Sequence, residues 1–330
     1  MILTLAYPET IVRVSDEWYS PYLRFLGIGK KNYLRAGHAA LLLVDKSTGD
    51  LEYYDFGRYI TPQPMGRVRS KETDAELIFP FKAELASKTI KNLDVILRFL
   101  ATQPKLTHGE GTLYASVCED VDYDKAKAFI KTMMDKHLIK YAAFEKNASN
   151  CARFVTDTLI ASTTNSKVRK RLKRSKWFTP STVANVVNAD TIGHVYKVDS
   201  DGKIGLMDAS VWEIHKACFL DRLEEFEPNF QGALFPKHLD IVADHAQWLP
   251  GLAAGAWFEL HKTKSPNIFK FKRISPHGNI DVEALFEVKQ KGFDYHTEYR
   301  FVHYSNCMFF HIKQNENIFR FEKNKLIQSK

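Results

Sequence analysis

Apolar and polar positions along the chain fall into two textures. Between residues 34 and 59, LRAGHAALLLVD and LEYYDFGRY are β-prone runs separated by KSTG, which predicts a hairpin with a glycine-containing turn. The opening MILTLAYPETIVRVSDEW reads as a first strand ending at Pro8. Residues 61 to 82 carry three prolines and Gly66, which predicts a loop leading into a short strand, ELIFPF. ELASKTIKNLDVILRFLATQ has apolar residues at three- and four-residue spacing and predicts a helix. GTLYASVCEDV predicts a strand, and DYDKAKAFIKTMMDKHLIK a helix with an acidic first turn.

NASNCARFVTDTLIAS predicts a helix capped by Asn147 or Ser149, with Phe154, Val155, Leu159 and Ile160 on its apolar side. WFTPSTVANVVN predicts a further short helix opened by Pro180. Beyond about residue 195 the texture becomes aromatic-rich and alternating: GAWFELHKT, NIFKFKRIS, NIDVEALFEV, YHTEYRFVHYS, CMFFHIKQN and NIFRFEKN, broken by Gly, Pro, Asn or Ser. That spacing predicts an antiparallel meander or small barrel-like sheet. The expected fold class is α+β in two domains: 1–195, an antiparallel sheet with packed helices, and 196–330, a β-rich accessory or partner-binding domain. HVYKVDSDGKIG is the expected join.

Composition adds little to this picture. With 45% hydrophobic and 26% charged residues, the 330-residue chain has the make-up of a soluble globular protein. No apolar run approaches the roughly 18 to 20 residues that cross a bilayer, and the N-terminus lacks a basic flank, a sustained apolar region and a small-residue cleavage site. The expected location is cytoplasmic, with export of an effector without a cleaved signal left open. The net charge of +8 is concentrated in one place: Lys167, Arg169, Lys170, Arg171, Lys173, Arg174 and Lys176 supply seven cations in ten residues. A solvated loop or helix end explains this tract, and a local anion or membrane-surface contact is the functional alternative. No specific nucleic-acid binding is expected, because the rest of the chain is nearly neutral.

Candidate chemistry centres on one thiol. Cys118, Cys151, Cys218 and Cys307 form no CxxC pair, so neither a zinc knuckle nor a disulfide framework is suggested, and the scatter fits a reducing compartment. Cys118 lies in a predicted strand, Cys218 in an apolar helical segment and Cys307 in the aromatic sheet. Cys151 alone opens a helix, where free N–H groups favour a thiolate. A small packing residue in the first turn is the bland explanation. His38, at the start of AALLLV, is placed to be its base, although a hydrogen-bonded core histidine has the same appearance. If the hairpin closes with Val44 opposite Leu51, Ala40 faces Asp55, and Asp55 lies diagonal to His38 on one face of the sheet. There it would orient the imidazole; a slip of one residue would put Tyr54 and Phe56 in its place.

GHAALLLV, YYDFGRY, NCARFV and TPSTVANVV, in that order over about residues 30 to 190, resemble the circularly permuted branch of the NlpC-type papain-like thiol hydrolases. That branch includes the lecithin:retinol acyltransferase-like proteins and several bacterial families. The resemblance implies Cys151 as nucleophile, His38 as base and Asp55 as polar orienter, in a permuted papain-like domain that needs no cofactor. Relatives that transfer acyl groups usually have Glu-His after the cysteine, where this chain has Ala152-Arg153, and their orienter is often a second histidine. The expected activity is therefore a cysteine hydrolase of amidase or peptidase type working through an acyl-enzyme. A membrane-surface acyltransferase with a lipid-like acyl substrate, or a non-catalytic binding module on the same fold, are the alternatives. Tyr54 and Arg58 would line the pocket, and Asn150 would assist the oxyanion or merely cap the helix. The backbone N–H of Cys151 is a natural oxyanion donor. His261, His277, His296, His303 and His311 match no metal-binding spacing, so no metal is expected. Oligomeric state is not legible.

Overall fold

In the computed structural model, residues 1–14, 17–86, 89–227 and 236–324 are described. The elements of the first part are β1 (Ile2–Tyr7), β2 (Val12–Arg13), α1 (Ser20–Phe25), β3 (Tyr33–Leu34), β4 (His38–Val44), β5 (Leu51–Gly57), β6 (Met65–Arg69), β7 (Leu85–Ala86) and β8 (Thr89–Ile90). They continue with α2 (Leu93–Thr102), α3 (Pro104–Thr107), β9 (Leu113–Cys118), α4 (Tyr123–Asp135), β10 (Ile139–Lys140), α5 (Cys151–Ser162), α6 (Ser166–Ser175), α7 (Thr182–Ala189), β11 (Tyr196–Val198), β12 (Ile204–Leu206) and α8 (Val211–Phe219). Eight of these strands form one sheet in the order β10-β6-β5-β4-β1-β9-β11-β12. β1 pairs antiparallel with β4 on one side and β9 on the other. Ile2–Tyr7 is thus a central strand of the folded protein.

The run HAALLLV does not alternate because both faces of its sheet are covered, so every position from His38 to Val44 is buried. Leu3, Leu5, Ala40 and Leu42 pack with Ile96, Leu97 and Leu100 of α2 on one face. Ile2, Ala39, Leu41 and Leu43 pack on the other with Phe154, Val155 and Leu159 of α5 and Ile130 of α4. The hairpin has the expected register, Val44 opposite Leu51 and Ala40 opposite Asp55.

Contacts divide the chain into two units: Met1–Gly57, Gly66–Ser70 and Leu77–Glu227 in the first, Arg58–Met65, Lys71–Glu76 and Pro228–Lys330 in the second. The break expected near residue 195 is therefore displaced. β11 pairs with β9 and β12 with β11, so hydrogen bonding carries residues 196–206 into the first sheet. Two other expectations change. In place of a helix over 84–103, β7 and β8 form a two-stranded ribbon and the helix begins only at Leu93; Ser87 and Lys88 lie outside the described residues. The Asn92 side chain accepts from Glu84 N at 2.8 Å and donates to Lys82 O at 2.9 Å, satisfying locally the backbone groups that a longer helix would use. ELIFPF forms no strand: a single 3-10 turn covers Ala75–Leu77. Pro80 has no N–H for a ladder, while Phe79 and Phe81 pack on Phe99 at 5.3 and 5.2 Å between ring centroids.

The second unit adds β13 (Gln247–Leu249), β14 (Ala256–Lys262), β15 (Ile268–Ile274), β16 (Ile280–Val288), β17 (Arg300–Val302), β18 (Phe309–Gln314) and β19 (Asn317–Lys323). They make a seven-stranded sheet ordered β13-β14-β15-β16-β19-β18-β17. Inward phenylalanines fill it, with Phe310 stacked between Phe271 (4.2 Å) and Phe321 (4.6 Å). Cys307 lies in the bend before β18 rather than on a strand. The buried Arg273 guanidinium binds Asp74, Glu76 and Asp281 at 3.2, 3.1 and 2.9 Å, which explains why the early segment 71–76 belongs to this unit. Gln247 on one edge strand donates to Tyr299 O at 3.0 Å and accepts from Phe301 N at 2.9 Å at the other edge, curling the sheet on itself. Gln247→Ala strands both backbone groups and should lower unfolding free energy by about 1–3 kcal/mol, read from urea melts. The protein is a mixed α/β molecule with antiparallel sheets and a β-rich C-terminal part. Among the described residues, no helix is long and apolar enough to cross a membrane.

Candidate active site

Cys151 is the first residue of α5, and its position is set from three sides. The Asn150 side chain caps the helix by accepting from Arg153 N at 2.9 Å, so Asn150, rather than Asn147 or Ser149, is the N-cap. Ser149 N donates to Lys140 O at 2.9 Å and Ala142 N to Ser149 O at 3.0 Å, tying the approach to the helix to β10. Asn185 of α7, fully buried, donates to Ala152 O at 2.8 Å and accepts from Thr156 Oγ1 at 2.7 Å, which pins the first turn.

His38 is the first residue of β4. The preceding Gly37 has φ of 77°, and a Cβ there would lie 2.9 Å from Pro8 Cα, so only glycine lets the chain enter the strand at this point. His38 Nε2 lies 3.0 Å from Asp55 Oδ2. Asp55 is completely buried in mid-strand on β5, and Arg69 of β6, its cross-strand partner, clamps it with both arms of the fork. Nε binds Oδ1 at 3.0 Å and Nη2 binds Oδ2 at 2.6 Å. Arg69 Nη2 also donates to Leu106 O at 3.2 Å.

Electrostatics give the four thiols different characters. Burial pushes Cys118 up to about 11 and Cys307 up to about 12, and raises Cys218 as well. Burial also opposes ionisation of Cys151, but the His38 hydrogen bond and charge, the Ala39 N–H and Tyr141 together outweigh it and hold this thiol below its ordinary value of 9.0. Burial would lower His38; its hydrogen bonds to Asp55 and Cys151 prevail and raise it to about 9. For Asp55 too, burial is overcome, here by the Arg69 charge and the His38 hydrogen bond, and the carboxyl lies well below the usual range. All three shifts favour a thiolate–imidazolium pair backed by a carboxylate. With Nε2 engaged on Asp55, Nδ1 is the imidazole nitrogen left for the thiol.

Cys151, His38 and Asp55 thus come together, while other expected residues do not join them. Tyr54 points to the face opposite Asp55, its hydroxyl donating to Glu52 at 3.0 Å beside Lys127. Arg58 belongs to the second unit, where its carbonyl accepts from Ala253 N at 3.0 Å. Asn150 uses its side-chain oxygen as a cap. The tract 167–176 is neither loop nor helix end but most of α6. Arg69 and Tyr141 were missed in the sequence. Arg69 had one signal, an arginine at an alternating position in MGRVR that a buried Asp55 would need as countercharge.

The fold and site define an α/β protein with a buried cysteine–histidine–aspartate cluster at a helix start. A family model for type VI secretion system effector TseH-like proteins matches residues 2–168, just over half the chain, and the protein belongs to that family. A second model, the DUF6695 C-terminal domain, matches residues 246–324. A crystal structure of a type VI secretion system effector, TseH, is similar at 18% identity and a TM-score of 0.43, covering 63% of this chain and 97% of that one. No curated protein matches.

Proposed function

We propose that this protein is a type VI secretion effector that hydrolyses an amide or peptide bond, with Cys151 as nucleophile, His38 as general base and acid, and Asp55 as orienter. The observation that carries the reading is the hydrogen-bonded chain Arg69–Asp55–His38 placed beside a thiol at a helix N-terminus, whose ionisation the imidazole favours. The thiolate attacks the carbonyl carbon, and the oxyanion forms against the backbone N–H groups opening α5. His38 protonates the leaving amine, giving a thioester; it then takes a proton from water, whose attack releases the acid and restores the thiolate. The His38 strand precedes the Cys151 helix in the chain, which is the order of a permuted papain-like domain. Hydrolysis is favoured over acyl transfer because Arg153, which stands where transferases carry a histidine, spends its guanidinium on the carbonyl of Glu145 at 2.6 Å.

Iodoacetamide at limiting dose and neutral pH should alkylate Cys151 on the order of a hundredfold faster than Cys118 or Cys307, because its surroundings favour the thiolate whereas burial opposes it in the other two. His38→Ala should remove most of that advantage. A p-nitrophenyl ester should leave its acyl group on Cys151, visible by mass spectrometry and absent in Cys151→Ala. Uniform alkylation of the four thiols, or acylation elsewhere, would refute the assignment.

A further inference from the structure

Helix α6 is anchored by two buried side chains, Val168 and Leu172, one turn apart. On the opposite face Lys170 is flanked by Lys167, Lys173 and Arg174, all exposed. The other cations of the tract are occupied: Arg169 on the carbonyls of Ile160 and Thr163, Arg171 on Asp190 O at 3.0 Å, Lys176 on Asp157 at 2.5 Å. Lys167, Lys170, Lys173 and Arg174 make no ion pair or side-chain hydrogen bond among the described residues. Like charges three and four residues apart repel, so this face costs helix stability until a counter-anion meets it.

Past the end of the helix, Trp177 is 88% and Phe178 74% exposed. Trp177 shares with Lys170, Lys173 and Arg174 an open groove of about 410 Å³. Phe178 packs on Phe144 at 4.8 Å, and Phe144 on Trp18 at 5.8 Å, a residue itself 67% exposed. Uncompensated cations beside water-exposed aromatic rings suit the headgroup region of a bilayer, where the charges meet phosphates and the rings sit at the boundary with the acyl chains. A nucleic acid fits less well. The cationic face is about 15 Å long, and seven of the eight net positive charges fall in this one tract, a compact patch rather than a spread basic surface.

We infer that α6 with Trp177 and Phe178 is an interfacial anchor for anionic phospholipid bilayers. The anchor does not depend on the chemistry at Cys151, so Cys151→Ala protein should bind vesicles as the wild type does while taking no acyl group. The full chain should co-sediment with phosphatidylglycerol-containing vesicles and not with pure phosphatidylcholine, and added salt should weaken the binding. Lys170→Gln, Lys173→Gln and Arg174→Gln together should lower partitioning on the order of a hundredfold, since each cation at a membrane surface contributes roughly fivefold. Vesicles with brominated acyl chains should quench wild-type tryptophan emission more than that of Trp177→Phe, a readout independent of the charge variants. Absence of binding to phosphatidylglycerol vesicles, unchanged binding of the triple variant, or equal quenching in both proteins would overturn the anchor. So would displacement from vesicles by a single-stranded oligonucleotide at equal phosphate concentration.

Discussion

The stability difference between wild type and His38→Gln is expected to be largest below pH 6.5 and to vanish as the pH rises through about 9. Folded His38 keeps its proton up to about 9, whereas the unfolded imidazole releases it near 6.5. Between those values the folded protein binds one proton more than the unfolded chain, so stability falls with rising pH by about 1.4 kcal/mol per unit. Over the whole interval the loss is on the order of 3 kcal/mol. Cys151 runs the opposite way, because its folded pKa lies below the ordinary 9.0. The difference between wild type and Cys151→Ala should therefore be full above pH 9 and decline as the pH falls through the folded thiol's own pKa. Urea melts of the three proteins across this range give both differences directly. Taking differences removes the contributions of His215 and His303, whose burial lowers them in every variant alike. Parallel curves for all three proteins would mean that His38 and Cys151 meet as neutral groups.

Arg69→Met is the substitution expected to do most damage away from Cys151. It leaves the Asp55 carboxylate fully buried beside His38 but without its guanidinium. Breaking one side of a buried pair costs about 3–5 kcal/mol, because the remaining charge has lost its partner and stays out of water. Asp55 would then take up a proton more readily, the imidazolium would lose its support, and alkylation of Cys151 at neutral pH should slow towards the rate of Cys118. Combining Arg69→Met with Asp55→Asn removes both charges, so most of the lost stability should return while Cys151 stays slow. That split separates an electrostatic positioning role from general packing damage. An Arg69→Met protein that melts and alkylates like wild type would leave Arg69 no part in the site.

The hairpin, the helix opened by Cys151 and the alternating C-terminal strands were legible because each is a local pattern: an apolar run, a capped amphipathic turn, a period of two. The register that puts Asp55 beside His38 was one of two the hairpin allowed, and the β4–β5 ladder has it. Elements decided by competition were not legible. The segment 84–103 has helical periodicity throughout, yet the Asn92 side chain meets the backbone at Lys82 and Glu84 and delays the helix to Leu93. The boundary near 195 followed a change in composition, whereas the polypeptide keeps its first sheet until β12 because β11 needs β9 as its ladder partner. Tyr54 and Arg58 look equivalent to Asp55 in sequence; alternation turns Tyr54 to the other face, and Arg58 passes into the second unit.

What the sequence by itself determined is the identity of the three groups, Cys151, His38 and Asp55, and the local geometry that offers each for use. Only the tertiary structure decided their state. Burial alone would keep the thiol protonated and the imidazole neutral; His38 reverses this for the thiol and Asp55 for the imidazole, and Asp55 is in turn held ionised by Arg69, which meets it only across the β5–β6 ladder. Charge interactions in a dry interior depend on distances between chain-remote atoms, which no local pattern encodes.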